Sequence, residues 1–517
     1  MRISRRTVAA GGWAALAGAV SGGVFVAVAE VVALLAAREA GPLIAVGSFV
    51  IDIVPRWAKE LAIELFGSND KLFLLSSLGF AVFVAAAVVG ILELWRRWVG
   101  VALFGVAGIA AVAATVTRAD ASPLGFLPST IGALAGAAAL YLLVGALRRW
   151  RDARDHDSAT AGVDRRRFLL FTGAGAAFAV LAGVGSQLGS AATSSIAAIR
   201  AALHLPAPLS RVTVPAGADL HLKDLSPLFT PNKDFYRVDT ALSVPSIDPS
   251  NWRLTIDGMV EQRAEFSFRD LLSMGLREYA ITLTCVSNQV GGNLLGNARW
   301  LGVPVREVLA HARPRNGADM VLSRSIDGFT AGTPLSALTD PGRDAILAVG
   351  MNGEPLPLEH GFPVRMVVPG LYGYVSATKW LTELKVTTFA TDQAYWTPRG
   401  YSEKAPIKLS SRIDTPRIDR SLSAGPTKIA GVAWAQTVGI QKVEVQVDGG
   451  PWQQAQLAAP INADTWVQWS LDWNATSGSH TIAVRAIDRA GRLQEEKRTP
   501  IAPNGSTGWQ STLVRVG

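Results

Sequence analysis

Residues 352–381 read NGEPLPLEHGFPVRMVVPGLYGYVSATKWL. Within them VRMVVPG is a short apolar run of strand length, bounded by Pro and Gly turn residues. Arg365 stands at its start and Lys379 beyond its end. His360, five residues before Arg365, reads by itself as a satisfied loop histidine.

Upstream, ITLTCVSNQVGG (281–292) contains Cys285, the only cysteine in 517 residues. One cysteine gives no internal disulfide, and a free thiol in an oxidising compartment is a liability unless it is buried or used. A thiolate is a soft ligand for a transition metal, and a Gly/Asn-rich loop after a strand lets backbone amides come close to a bulky polar cofactor. From this stretch alone a buried core cysteine is the commoner outcome. FYRVD (235–239), SIDGFTAGTP (325–334) and AYWTPRGYSEKAP (394–406) add charged and aromatic side chains. Among these, Asp327, like Asn288 of the cysteine loop, also suits the plain task of capping a turn.

Around these motifs the chain from about residue 205 is rich in proline and in short apolar runs. NWRLTIDGMV (251–260) alternates like a strand, FSFRDLLSM (266–274) opens like a helix, and WLGVPVREVLAHA (300–312) has helical spacing after a turn. From 424 the runs IAGVAWA, QKVEVQVDGGPWQQAQL, TWVQWSLDW and HTIAVRAID alternate between turns, the pattern of a small antiparallel sandwich.

The first 190 residues differ. The chain is 49% hydrophobic, and stretches 8–36, 72–94, 98–117, 126–147 and 168–190 are each long enough to cross about 30 Å of hydrocarbon. The net charge is +8, but the arginines cluster between these stretches, at Arg2, Arg5 and Arg6, at Arg96 and Arg97, and along 148–167. There they set membrane orientation rather than bind nucleic acid. With every cluster on the cytoplasmic side, five crossings put the chain after 190 outside. The segment 42–66 is broken by Pro55, Arg56 and Lys59 and reads as interfacial. DRRRFLL (164–170) before a Gly/Ala-rich apolar run resembles a twin-arginine export signal, carried by Arg165 and Arg166; obedience to the positive-inside rule is the plainer alternative.

LTCVSN, ARWLGVPVREVLA (298–310), the 352–381 run and the closing GWQSTLVRV (508–516) together resemble the sulfite oxidase family of molybdenum enzymes, in the same order, over roughly 230–517. The apolar spans and the resemblance together give an α+β chain: the spans an N-terminal α-helical transmembrane bundle (1–163) and a fifth span with the export-like signal (164–204), the resemblance a sulfite-oxidase-type molybdopterin domain (205–423) and an immunoglobulin-like β-sandwich (424–517) of the kind that pairs two copies. It further implies a molybdenum-molybdopterin cofactor with Cys285 as the one protein ligand to the metal. Arg237 and Tyr401, five residues after Trp396, then lie at the reacting centre. Phe235, Tyr236, Arg237, Asn288, Asp327, His360, Arg365, Ser376, Thr378 and Lys379 contact the cofactor, the cations holding its phosphate.

Two departures bear on substrate and electrons. Where sulfite oxidases carry an arginine five residues after the cysteine, this chain has Val290, and the loop from Cys285 to Trp300 is much shorter. A less positive pocket binds a dianion less well. The histidines are His156, His204, His221, His311, His360 and His480, none inside a span, and no C-x-x-C-H occurs, so no haem is expected and electrons pass through a separate partner. The expected partners are a small oxyanion or oxide substrate, that electron-transfer protein or carrier, membrane lipid and a second copy of the chain. A non-catalytic membrane protein keeping this fold for binding or assembly is the alternative.

Overall fold

The computed structural model describes residues 5–36, 41–54, 70–117, 123–156, 161–188, 191–417 and 420–517. The chain divides into two compact units, Met1–Ser195 with Thr240–Val244 and Ile196–Asp239 with Pro245–Gly517.

The first unit contains helices α1 (Arg5–Ala36), α2 (Pro42–Ile53), α3 (Asp70–Trp95), α4 (Val99–Val116), α5 (Phe126–Asp155) and α6 (Ala161–Leu188). Packing of α1 against α3, α5 and α6 depends on small residues. A Cβ on Gly18 would lie 2.1 Å from the Ala86 carbonyl oxygen, and one on Gly90 would lie 2.1 Å from that of Ala14, so the α1–α3 approach needs glycine on both sides. On α5 a Cβ on Gly132 or Gly136 would meet Phe25 of α1, and one on Gly136 would also meet Phe104 of α4. At the α3–α4 corner the Glu93 carboxylate accepts from the amides of Trp98 (3.1 Å) and Gly100 (2.9 Å) and pairs with Arg148 of α5 at 3.6 Å. Four helices among the described residues, α1, α3, α4 and α5, are long and apolar enough to cross a membrane. The fifth expected crossing is part of α6, with residues 189–190 outside the described chain; Arg165 and Arg166 are exposed within that helix. Of the segment expected to be interfacial, 42–53 forms α2 and 55–66 lies outside the described residues.

The second unit opens within α7 (Ala191–Ala202), whose Ile196 joins the buried cluster around Trp300. Its first ten strands are β1 (Arg253–Gly258), β2 (Ala264–Ser267), β3 (Arg277–Thr284), β4 (Leu295–Pro304), β5 (Met320–Ser325), β6 (Thr330–Pro334), β7 (Ile346–Met351), β8 (Glu354–Pro355), β9 (Arg365–Val367) and β10 (Leu381–Thr387). They form one sheet ordered β2-β1-β10-β5-β6 and another ordered β3-β4-β7-β8, with β9 paired to β7. The second sheet carries Cys285 just past the end of β3 and Arg365 on β9, so two motifs eighty residues apart belong to one sheet, with β4 and β7 between their strands. Beneath it Trp300 is fully buried with Ile281, Leu283, Ile346, Ala348 and Phe362, and its indole N–H donates to the Ile281 carbonyl at 3.0 Å.

The alternation over 251–260 is β1, and the helix entry is α8 (Phe268–Ser273), started by a reciprocal capping box between Ser267 and Asp270. The helical spacing read over 300–312 is partly overruled. Residues 300–304 continue β4, which is hydrogen-bonded to β3 and β7 on either side, and Pro304 delays the helix α9 to Val305–Ala310.

The sandwich comprises β11 (Ser410–Thr415), β12 (Gly425–Trp434), β13 (Ile440–Val447), β14 (Gln453–Gln454), β15 (Gln456–Leu457), β16 (Val467–Ala475), β17 (Gly478–Asp488) and β18 (Gln510–Val516). Two four-stranded sheets, β11-β12-β16-β15 and β14-β13-β17-β18, enclose Trp469, Val443, Val445, Ile482 and Val484. Its first strand begins ahead of residue 424. That strand escapes an apolar pattern because Ser411, fully buried, satisfies its hydroxyl by donating to Gln494 Oε1 at 2.7 Å.

Candidate functional site

Cys285 follows the last residue of β3 and is buried, and its loop is closed from inside and braced from the sandwich. Asn288 Oδ1 accepts from the Leu294 amide at 2.9 Å, and the Cys285 amide donates to the Leu294 carbonyl at 2.9 Å. Arg412 on β11 donates to the Gly292 carbonyl (2.8 Å), and Ser506 donates to that of Asn288 (2.8 Å). Gly291 takes φ +81°, a left-handed conformation suited to glycine. The Ser287 amide points at Sγ from 3.4 Å. Burial raises the thiol pKa, while that amide and the Lys379 ammonium oppose the rise.

The 352–381 run supplies the facing wall. Arg365 is 5% exposed, lies 5.1 Å from the Trp300 ring centre and donates to the carbonyls of His360 (3.2 Å) and Ala377 (3.4 Å). Among the described residues its Nε meets no hydrogen-bond partner. Burial pulls its pKa down to about 10. Lys379 donates to Asp239 and, at 3.1 Å, to the Glu359 carbonyl; burial lowers its pKa to about 8, against the pull of Asp239. Gly361 at φ +108° lets the chain pass between these two cations, since a Cβ there would sit 3.0 Å from Arg365 Cβ and 3.1 Å from Lys379 Cβ.

His360 is 2% exposed and donates from Nε2 to the Asn232 carbonyl at 3.0 Å, so Nδ1 is the acceptor. Burial, reinforced by Arg365, lowers its pKa to about 4. The folded value lies below the ordinary 6.5, so between these two pH values the unfolded chain binds the extra proton and stability falls as pH drops, by at most about 3 kcal/mol. Accordingly, the advantage in melting temperature of the wild type over His360→Gln should narrow from pH 7 to pH 4. A constant gap would mean that His360 is not held neutral.

Phenols complete the surroundings. Tyr236 is stacked on Phe235 with ring centres 5.2 Å apart, and its pKa is raised by burial and by Cys285. Tyr372 is raised to about 12 by burial, with the Lys408 amide opposing and Cys285 adding to the rise. Tyr374 donates to the Ser402 carbonyl at 2.6 Å, and its ring centre lies 5.4 Å from that of Tyr401, which in turn lies 5.2 Å from that of Trp396. Arg237 is half-buried against Asp239 at 2.9 Å. Asp327 is half-buried and raised by burial, and its Oδ1 accepts from the Phe329 amide (3.3 Å). Ser376 and Thr378 are fully buried. The hydroxyl of Ser376 bonds the Leu371 and Tyr372 carbonyls, and that of Thr378 bonds Ser323.

Cys285, Tyr236, Arg365, His360 and Lys379 are thus brought together. Asn288 acts within its own loop. Tyr372 and Tyr374 were missed because the Gly-Leu-Tyr-Gly-Tyr stretch carries no charge or ligand spacing, and Asp239 because it reads as the end of FYRVD.

Residues 241–396 match the oxidoreductase molybdopterin binding domain, and 410–484 match the bacterial Ig domain. Residues 241–396 thus carry an oxidoreductase molybdopterin binding domain, and the same part of the chain is similar to sulfite oxidases. The mitochondrial sulfite oxidase of Rattus norvegicus is 30% identical over 320 residues, 53% of this chain and 58% of that protein, so the matched part spans little more than half of this relative. The sulfite oxidase of Gallus gallus is 29% identical over 53% of this chain and 69% of its own length. An inducible NADH nitrate reductase of Glycine max is 29% identical over 49% of this chain and 36% of its own. In structure, the sulfane dehydrogenase SoxCD of Paracoccus pantotrophus superposes with a TM-score of 0.50 and 22% identity, covering 59% of this chain and 88% of that one, a likeness of fold.

The molybdopterin domain has polar groups suited to such a cofactor. A buried guanidinium Nε–H and the buried Thr284 hydroxyl beside Cys285, both without a partner among the described residues, are costly in a dry core unless something polar reaches them. Pterin and phosphate acceptors supply that, and the Cys285 thiol is a soft metal donor.

Proposed function

We propose that the chain is a membrane-anchored, extracytoplasmic molybdenum-cofactor oxidoreductase that transfers an oxygen atom to or from a small substrate, favouring a neutral S- or N-oxide over sulfite. The observation that carries this reading is the burial around Cys285 of the Lys379 ammonium and of two neutral phenols, Tyr236 and Tyr372, with the buried Arg365 guanidinium reached through Tyr236. When bound, the cofactor supplies two-electron oxygen-atom transfer.

In this reading the Cys285 thiolate is the protein ligand to the metal, and Arg365, Lys379 and His360 hold the anionic end of the pterin. Phe235, Tyr236 and Arg237 line the wrapping segment. Asn288, Asp327, Ser376 and Thr378 keep loops in place around it. Tyr401 donates a hydrogen bond to the substrate oxygen and passes a proton as charge develops there. Tyr372, whose proton is retained up to about pH 12, is a second donor at neutral pH. Phenols stabilise a polar S–O or N–O oxygen without the cationic charge a dianion needs, and Val290 stands where an arginine would answer that dianion.

A hydrogen bond to a charged group contributes about 1.5–3 kcal/mol, so its absence should lower sulfite turnover at least about tenfold relative to an oxide. The molybdenum-loaded chain, assayed with artificial electron donors and acceptors on a panel of sulfite, S-oxides and N-oxides, should show that ranking. Faster sulfite oxidation would overturn the substrate assignment, and no turnover at all would overturn the enzymatic one.

The helices support anchoring through their outward faces, where Phe80, Ile109 and Leu181 are about 70% exposed and suit contact with lipid. Protease added outside spheroplasts should therefore cut the chain after residue 190; protection matching a cytoplasmic control would contradict that placement. Pairing of two copies through the sandwich belongs to the same reading and would be contradicted by a monomer in light scattering of the detergent-solubilised chain.

A further inference from the structure

We infer that Arg200 is a positioning residue for His360, acting through Glu354 and Asn232. The inference rests on the reading of His360 as a cofactor contact and adds a residue outside the family motifs. On α7, Arg200 donates from Nε to the Leu356 carbonyl (2.7 Å) and from Nη2 to that of Pro355 (2.6 Å), and it pairs with the Glu354 carboxylate at 2.9 Å. One guanidinium fork thus fixes three consecutive residues of the segment that leads into the turn Leu358–His360.

Glu354 in turn receives the Asn232 amide, whose Nδ2 also bonds the Met351 carbonyl at 3.3 Å. Asn352 closes the ring by donating to Asn232 Oδ1 (2.8 Å) and to the Thr230 carbonyl (2.9 Å). The Asn232 backbone carbonyl accepts the His360 Nε2 proton, and this contact sets the tautomer and ring orientation. Two sides of the imidazole are therefore governed from one arginine: the backbone leading to it and the carbonyl that holds its proton. The helix itself is seated, because Ile196 is buried with Phe235, Ile281, Trp300 and Phe362, and Leu203, two turns on, packs against the same cluster. Ion pairs on an exposed surface contribute little, but this one orients a buried group, and partners that orient a ligand typically cost 10–100-fold in affinity when removed.

The test is the rate of pterin release, read by its fluorescence, from the full detergent-solubilised chain well below its melting temperature. Arg200→Ala and Asn232→Ala should each accelerate release about tenfold, and the double variant should release about as fast as either one, since both act on the same histidine. Should Arg200→Ala not fold, Glu354→Gln, which keeps size and loses charge, carries the same comparison with Asn232→Ala. Release from Arg200→Ala at the wild-type rate, or a double variant about a hundredfold faster as independent sites require, would overturn the inference. A wild-type chain that takes up no pterin would remove the reading of the site itself, and the inference with it.

Discussion

Cys285→Ser should lower activity by orders of magnitude while leaving the fold intact. The substitution is nearly isosteric, and apart from the long Ser287 amide contact to Sγ the loop's hydrogen bonds run through Asn288, Leu294, Arg412 and Ser506. It exchanges a strongly donating thiolate for a hydroxyl that is a poor metal ligand at neutral pH, so the geometry and potential of a metal held there must change. If the residue were core packing, the serine would bury an unmet hydroxyl, costing about 1–3 kcal/mol, and the metal would be unaffected. Mo(V) paramagnetic resonance beside a thermal melt separates the two. An unchanged signal with a lowered melting temperature would reduce Cys285 to packing.

The second large effect is expected at Arg365, where stability and cofactor binding should move in opposite directions. Burial lowers the arginine from 12.5 to about 10, a penalty of roughly 3 kcal/mol for keeping the charge in the fold. Its two long hydrogen bonds return about 1 kcal/mol each. Arg365→Met fills similar volume against Trp300 and removes the burial penalty, which outweighs those bonds, so the cofactor-free chain should melt no lower than the wild type without cofactor. Pterin content, by contrast, should fall to near zero. A variant that melts lower but keeps its pterin would make Arg365 a structural cation.

How much of this was legible follows from the kind of signal each residue leaves. Cys285, Arg365 and Lys379 stand out because sulfur and charge in an apolar run are rare, and the run 352–381 keeps them in a fixed order. The sandwich from 424 was legible because its strands alternate, whereas β11 was hidden by Ser411, a polar residue satisfied in the core by Gln494. Residues 300–304 followed helical spacing yet became strand, since sheet partners on both sides outweigh a local periodicity. Tyr372 and Tyr374 acquire meaning only from their distance to Cys285 and Tyr401, and Arg200 only from the carbonyls it reaches some 155 residues away. Long-range placement of ordinary residue types is what the sequence does not display.

The central claim, that Cys285 and the 352–381 run hold a molybdenum-pterin cofactor, is tested most directly by elemental and pterin analysis of the purified full chain from cells that make the cofactor. Near one molybdenum and one pterin per folded chain is the predicted result. A correctly folded chain carrying neither would contradict it.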